Sequence, residues 1–466
     1  MDGEVTANTR RDVWVRVAVF AWGVGIAAVF AFGVYQSSAL VASAIDVNCF
    51  GQIARNLLRG EGFSFGNGPT IRRGPLYPLL AAGLLKLFGR DPNAFPDAAF
   101  YAPVLGANCL FFGATLLVIW TLTRRLFGQR AAVLAVAICP FVPQSLRYVG
   151  RTEVEMLMGL FISLLAALGV ALATRPGPRT GAWFGLIAAA ATLSKPIVLL
   201  FPLAFLPVAW WHWTRQRAPI RDRFTATLVL LACFALPLVP WSLRNRAVTE
   251  HQFQGISSNG PGEFLRGYVN AQPKYFLLLQ DFGGNDPRTE KWDPEANRFE
   301  EAILKPHGVP FGRADFDSAG NLVFTPPAPP GMTSAMLEAK KDRIEGAEMK
   351  RRVLADPAGF VGKVAVQLLT FWYVVETRAK SLFVGAVALI MLGLGVVGFV
   401  RAHRLGKVVW PIALVIAYFN VIYAVFLAFA RYSMPLFPTL VVLSAGGLWA
   451  LVERFLPRPS AAPEAS

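Results

Sequence analysis

The chain has 466 residues, of which 55% are hydrophobic and only 16% charged, with a mean hydropathy of +0.46. Soluble globular chains carry about 25% charged residues, so the composition excludes an ordinary water-soluble domain and points to a protein that meets lipid. The formal net charge is +16, but the basic residues fall in short segments between apolar runs, the positive-inside pattern of a membrane protein and not a nucleic-acid footprint. Four cysteines, Cys49, Cys109, Cys139 and Cys233, form no CxxC and indicate neither a zinc site nor a disulfide framework.

The first apolar run, residues 15–35, is too long for a signal-peptide core and lacks a small-residue cleavage site, so it reads as a retained first span. Asp46 stands alone where this run has ended. After it, Phe50, Ile53, Ala54, Leu57 and Leu58 follow helical spacing, with Gln52, Arg55, Asn56 and Arg59 on the other face. The pattern predicts a helix lying flat at the membrane surface and ended by Gly60 and Gly62. Asp46 then has two readings that do not exclude each other. It can cap that helix by accepting from the first free N–H groups, or it can be a functional acid, as ionisable groups at span ends often are.

Next comes Pro69-Thr-Ile-Arg-Arg-Gly-Pro-Leu-Tyr-Pro78. Arg72 and Arg73 can snorkel to headgroups or grip a phosphate with their planar forks of donors. The segment 75–88 covers only about 21 Å at about 1.5 Å per residue, and Lys86 interrupts it. Leaving it out of the spans places the basic connectors near residues 124–125, 175–179, 215–223 and 401–407 on one side of the membrane, with both chain ends. The segment is therefore expected to be interfacial or re-entrant.

Spans need about 20 apolar residues. Ten candidates result: 15–35, 100–122, 131–146, 154–173, 181–194, 197–213, 224–241, 382–400, 408–429 and 434–452. The expected fold is an all-α polytopic membrane protein. Its expected parts are an N-terminal membrane module (1–241) with a first outer loop (36–99), a mixed extracytoplasmic subdomain (242–380), and C-terminal membrane helices with a short tail (381–466). The subdomain contains turn-rich pieces at 283–287 and 326–331 and a charged helical pattern over 334–356. Its acids and bases nearly balance, which suits a folded, water-facing unit.

Three further groups share the outer side with Asp46. Glu153 begins the fourth span, where the helix dipole alone would favour an acid. Lys195-Pro196 breaks an apolar stretch, and Arg431-Tyr432 opens the last span. Isolated cations there meet headgroups; several converging ones would neutralise a phosphate leaving group. No P-loop, dinucleotide fingerprint, HExxH or GxSxG occurs. No second acid stands beside Asp46, so neither a divalent metal nor a cofactor is expected. His212, His251, His307 and His403 are scattered and read as surface residues.

The ordered set is Asp46, Gly60-x-Gly62-Phe63, Pro69-Thr70-x-x-Arg73-x-Pro75-Leu76-Tyr77-Pro78, Phe88-Gly89, Arg125-Leu-Phe-Gly128, Thr152-Glu153, Lys195-Pro196, Pro240-Trp241-Ser-Leu-Arg244-Asn245, Ser257-Ser-Asn-Gly260 and Arg431-Tyr432-x-x-Pro435. This order resembles the GT-C glycosyltransferases of the protein-mannosyltransferase and lipid A aminoarabinose-transferase type, over most of the chain and least over residues 268–333. The resemblance implies an enzyme of the inner-membrane type with its active site on the extracytoplasmic side. It would move a sugar from a polyprenyl-phosphate carrier to a glycolipid, lipid A, polysaccharide or protein acceptor, with no nucleic-acid partner. Asp46 matches the family's catalytic acid, and Glu153 falls where a second acid commonly sits. Arg72, Arg73, Tyr77, Lys195, Arg244 and Arg431 match donor phosphate or lipid contacts; Asn245 and Asn259 are matched to the sugar or acceptor.

Two departures stand out: Gly74 replaces the more usual Pro, and the acid after the first span is single. The implied chemistry is displacement at the anomeric carbon, with inversion and oxocarbenium-like character. The alternative from another class is a flippase for a lipid-linked sugar, against which the chain shows no inverted repeat or paired broken helices.

Overall fold

In the computed structural model the described residues are 2–37, 46, 48–64, 68–142, 145–281, 294–310, 313–316, 322–325 and 329–455. The turn at 283–287, part of that at 326–331 and the tail from 456 lie outside them. The described residues are nearly all helical. The one exception of regular structure is a two-stranded antiparallel hairpin, Arg313–Phe316 with Leu322–Thr325, in which Arg313 faces Thr325.

Among the described residues, seven helical segments are long and apolar enough to cross a membrane: Asp12–Gly33, Ala98–Phe127, Glu155–Thr174, Pro196–Arg215, Ile220–Val248, Arg378–Arg404 and Ala430–Phe455. They account for seven of the ten apolar stretches. The other three form shorter helices, Gln129–Ile138, Pro178–Ser194 and Trp410–Val425. The segment set apart at 75–88 is a short apolar helix, Leu76–Leu87. One apolar helix lies inside the stretch expected to be polar. Pro357–Tyr373 continues Ser334–Ala355 after a 106° bend, and the pair would count as an eighth span if it crossed. Lys363, Gln367 and Thr370 interrupt its apolar pattern, which hid it.

The helix Glu155–Thr174 is central, 72% buried over its most apolar window, whereas Arg378–Arg404 is 28% buried and turns Leu389, Ile390 and Val396 outward. Outward-facing Leu and Ile on a span are what lipid accepts. Close crossings use small residues, as expected where packing and not water expulsion drives association. A Cβ on Gly398 would lie 2.0 Å from the Leu443 carbonyl oxygen, and one on Gly447 would lie 2.0 Å from that of Leu394.

The helix Phe50–Leu58 is covered on its polar face, where Gln52, Arg55 and Asn56 are buried. Their polar groups are satisfied internally. Gln52 Nε2 donates to Asn56 Oδ1 (2.7 Å), Arg55 donates to the carbonyls of Pro92 and Ala94, and Asn56 Nδ2 donates to the carbonyl of Ser64 (2.9 Å). The described parts of the first loop pack together, and Asp46 is bonded to Thr152, just before the helix Glu155–Thr174.

Candidate active site

Cys49 adopts left-handed backbone (φ 64°) and turns the chain into the helix Phe50–Leu58. The bend brings Asp46 back over the helix start. Asp46 Oδ1 accepts from the Gly51 N–H at 2.9 Å and Oδ2 from the Gln52 N–H at 2.7 Å. Cys49 therefore occupies the cap position while Asp46, three residues earlier, supplies the capping carboxylate. A third donor comes from far along the chain: the Thr152 hydroxyl gives Oδ1 a bond of 3.0 Å. Asp46 is 1% exposed. Burial holds its carboxyl above the ordinary carboxylate range, against the opposing pull of these donors and of Arg73. An ionised carboxylate has about four lone-pair directions, and three are used among the described residues, so one remains for a further donor.

Glu153 sits beside this group, fully buried. Asn48 Nδ2 donates to both its oxygens at 2.8 Å, and Arg431 Nη2 donates to Oε2 at 2.9 Å. Arg431 also bonds Glu155 Oε1 through Nε at 3.0 Å, and its guanidinium stacks over Tyr148 at 4.9 Å. Burial pushes Glu153 up from its ordinary value; Arg431 pulls down, and Glu155 pushes up again. Asn48 is the hinge of the arrangement. Its NH₂ faces Glu153 while its side-chain oxygen and its carbonyl accept from Arg73 Nη2 (3.0 Å) and Nε (3.1 Å). Arg73 is stacked over Phe50 at 5.5 Å, and Phe50 meets Tyr77 edge-on at 5.3 Å. Burial, then the neighbouring Arg72, lowers the Arg73 pKa, yet a guanidinium remains charged in that setting.

Lys195 reaches the same cluster, with Nζ 3.6 Å from Glu155 Oε1 and 4.8 Å from the Tyr432 ring centroid. It is brought there by a close approach. A Cβ on Gly74 would lie 2.2 Å from the Leu193 carbonyl oxygen and 3.2 Å from that of Ser194. Glycine at 74 thus lets the Arg72-Arg73 segment pack on the end of the helix that presents Lys195. Neither Pro nor Ala fits this approach without a shift.

Asp46, Glu153 and Glu155 are matched by Arg73, Lys195 and Arg431. Arg72 has no hydrogen-bond or ion-pair partner for its guanidinium among the described residues, and its Nε is buried; the Glu338 carboxylate lies nearby without pairing with it. A guanidinium with no direct partner beside such a cluster has donors free for an anion. No group of three or more His, Cys, Asp or Glu arranged to hold a metal occurs among the described residues.

The remaining sequence-selected residues lie elsewhere or are committed. Arg244 donates to the carbonyls of Thr70 (2.6 Å) and Phe63 (3.0 Å) and stacks on Trp241 at 4.8 Å, so it holds the first loop. Asn245 donates to the carbonyls of Gly255 and Ile256 and accepts from Arg244. Asn259 donates to Glu263 Oε1 at 2.7 Å, in the subdomain. Sequence reasoning assigned no role to Asn48, Thr152 or Glu155. Asn48 and Thr152 carry one available signal, adjacency to Asp46 and Glu153.

Residues 72–241, less than half of the chain, match the family model described as dolichyl-phosphate-mannose-protein mannosyltransferase. The fold is similar to that of the archaeal oligosaccharyltransferase AglB from Archaeoglobus fulgidus in complex with an inhibitory peptide and a dolichol-phosphate. That likeness has 13% identity and a TM-score of 0.53 and covers 98% of this chain and 53% of the other. The apo oligosaccharyltransferase of the same organism gives 14% identity and a TM-score of 0.55, over 94% and 51%. ArnT from Cupriavidus metallidurans bound to undecaprenyl phosphate gives 16% identity and a TM-score of 0.37, over 93% and 77%. The chain spans about half the length of the archaeal enzyme. No curated protein matches the sequence. These likenesses show that the chain shares the fold of the archaeal oligosaccharyltransferase.

Proposed function

We propose that this protein is a membrane glycosyltransferase that moves a sugar from a polyprenyl-phosphate carrier to an acceptor hydroxyl at the extracytoplasmic face. The observation that carries the reading is the cluster itself. A buried carboxylate held by three donors sits in a cluster of paired acids and bases, and Arg72, whose guanidinium has no hydrogen-bond or ion-pair partner among the described residues, directly precedes Arg73 of that cluster. The fold, shared with an archaeal oligosaccharyltransferase solved in complex with a dolichol-phosphate, and the family-model match over residues 72–241 support it. The basic connectors on the opposite side support the outer-face assignment.

In this reading Asp46 accepts the proton of the acceptor hydroxyl as it attacks the anomeric carbon, and polyprenyl phosphate leaves with inversion. A carboxylic acid is far more acidic than an alcohol; an ordinary Asp has a pKa of about 3.9. Proton transfer therefore comes late, when the hydroxyl has acquired charge by bonding to an oxocarbenium-like sugar. Arg72 and Arg73, with Lys195 behind them, offset the charge that grows on the departing phosphate. Glu153 acts through Asn48: it orients that amide, which in turn fixes the Arg73 fork. Arg431 holds Glu153 and Glu155 in place instead of meeting the donor.

The test is transfer by purified protein in nanodiscs from a panel of polyprenyl-phosphate sugars, with translocation of the same lipids measured in parallel. Transfer from at least one donor is expected. Translocation without transfer from any donor would replace the reading by a flippase.

A further inference from the structure

Thr70 and Ile71, the residues just before Arg72, have their backbone polar groups all engaged. The Thr70 N–H donates to the Phe63 carbonyl (3.1 Å), the Thr70 carbonyl accepts from Arg244, and the Ile71 carbonyl accepts from the Ser258 N–H (3.1 Å). The remaining groups go to one side chain that arrives from 267 residues away. Glu338 accepts from the Ile71 N–H at 2.7 Å, and the Thr70 hydroxyl lies 2.9 Å and 3.0 Å from its two oxygens. That hydroxyl in turn accepts from the Arg72 N–H at 3.1 Å. Apolar packing supports the contact, since Ile71, Ala335 and Ala339 form a small buried cluster.

A carboxylate this near Arg72 and Arg73 repels an anionic ligand, so attraction of the donor does not account for it. Its bonds go to the backbone and hydroxyl that set the path of the two arginines. Resting on the transferase reading above, we infer that Glu338 is a positioning residue for the donor phosphate, fixing the Thr70–Ile71 segment so that Arg72 and Arg73 are presented together.

The helix carrying Glu338 makes this more than a local clamp. Lys341 pairs with Glu300, which also accepts from Arg266 at 2.8 Å, tying Ser334–Ala355 to the rest of the subdomain. Beyond the bend, Gln367 Oε1 accepts from the Ala428 N–H (2.7 Å), Thr370 donates to the Ala428 carbonyl (3.2 Å), and the Val374 carbonyl accepts from the Ala430 N–H (2.9 Å). Arg431 follows directly. One bent helix pair therefore braces both the Arg72-Arg73 segment and the segment that delivers Arg431.

The experiment compares wild type, Glu338→Gln, Thr70→Val and the double variant in nanodiscs, reading donor KM, acceptor KM, kcat and the affinity for polyprenyl phosphate alone. Glutamine keeps the volume but loses the charge behind the bonds to Thr70 and Ile71, so both donor KM and polyprenyl phosphate Kd are expected to rise about tenfold. Acceptor KM should stay within about twofold, and the double variant should be no worse than the poorer single variant, because one interaction is removed twice. Unchanged polyprenyl phosphate affinity in Glu338→Gln would overturn the inference, as would strictly additive losses. Wild type that binds no polyprenyl phosphate would instead overturn the reading on which the inference rests.

Discussion

Thr152→Val removes the hydroxyl that bonds Asp46 Oδ1 at 3.0 Å and leaves nearly the same shape. Thr152 is fully buried, so no water takes the hydroxyl's place. A hydrogen bond to a charged group contributes about 1.5–3 kcal/mol, and one pKa unit corresponds to about 1.4 kcal/mol. The lost bond favoured the anion, so its removal raises the Asp46 pKa, by about one to two units. Burial already holds that carboxyl above the ordinary range. Because the anion is the form that accepts the proton, transfer falls on the acid side, and the variant's acid limb moves to higher pH by that amount. The assay is the initial rate of sugar transfer across pH, with Thr152→Ser as the control that keeps the donor. A limb that stays in place or moves to lower pH would refute the assignment of Asp46 as the titrating base.

Other substitutions separate binding from architecture. Arg72→Gln should raise donor KM while leaving thermal unfolding in detergent unchanged, because the guanidinium has no hydrogen-bond or ion-pair partner among the described residues; a large fall in melting temperature would contradict that. Arg431→Met leaves Glu153 and Glu155 buried without their shared cation, and should cost about 3–5 kcal/mol of stability. Adding Glu155→Gln should recover part of it, and a melting temperature equal to wild type in the single variant would be inconsistent with the pairing. Gly74→Ala drives a Cβ into the Leu193 carbonyl; overpacking of this kind costs about 1–3 kcal/mol, seen as a lower melting temperature, and an unchanged one would show that the close approach is not rigid.

The sequence made the acids and cations visible for a simple reason. Asp46, Glu153, Lys195 and Arg431 are ionisable groups at the ends of apolar runs, where their cost marks them. Their partners were not visible. Asn48 is an unremarkable amide until it is placed between Glu153 and Arg73, and Thr152 and Glu338 act across 106 and 267 residues. Arg244 looked like an anion ligand because charge alone does not show that its fork is spent on two carbonyls. The helix Pro357–Tyr373 falls inside the stretch expected to be polar, because Lys363 and Gln367 break its apolar pattern. Lys363 instead donates to the carbonyls at the end of Trp410–Val425, and Gln367 meets the Gly267 carbonyl and the Ala428 N–H.

Sugar transfer by Asp46→Asn tests the central claim most directly. Asparagine keeps the size but cannot take a proton from the acceptor, and general-base catalysis is worth about 10²–10⁴ in rate. The expected result is a fall of at least about hundredfold in kcat with donor KM little changed. Because one amide NH₂ must then face the Gly51 or Gln52 N–H, the melting temperature is read alongside. Transfer within a few-fold of wild type by a folded Asp46→Asn protein would remove Asp46 from the chemistry and leave it a helix cap.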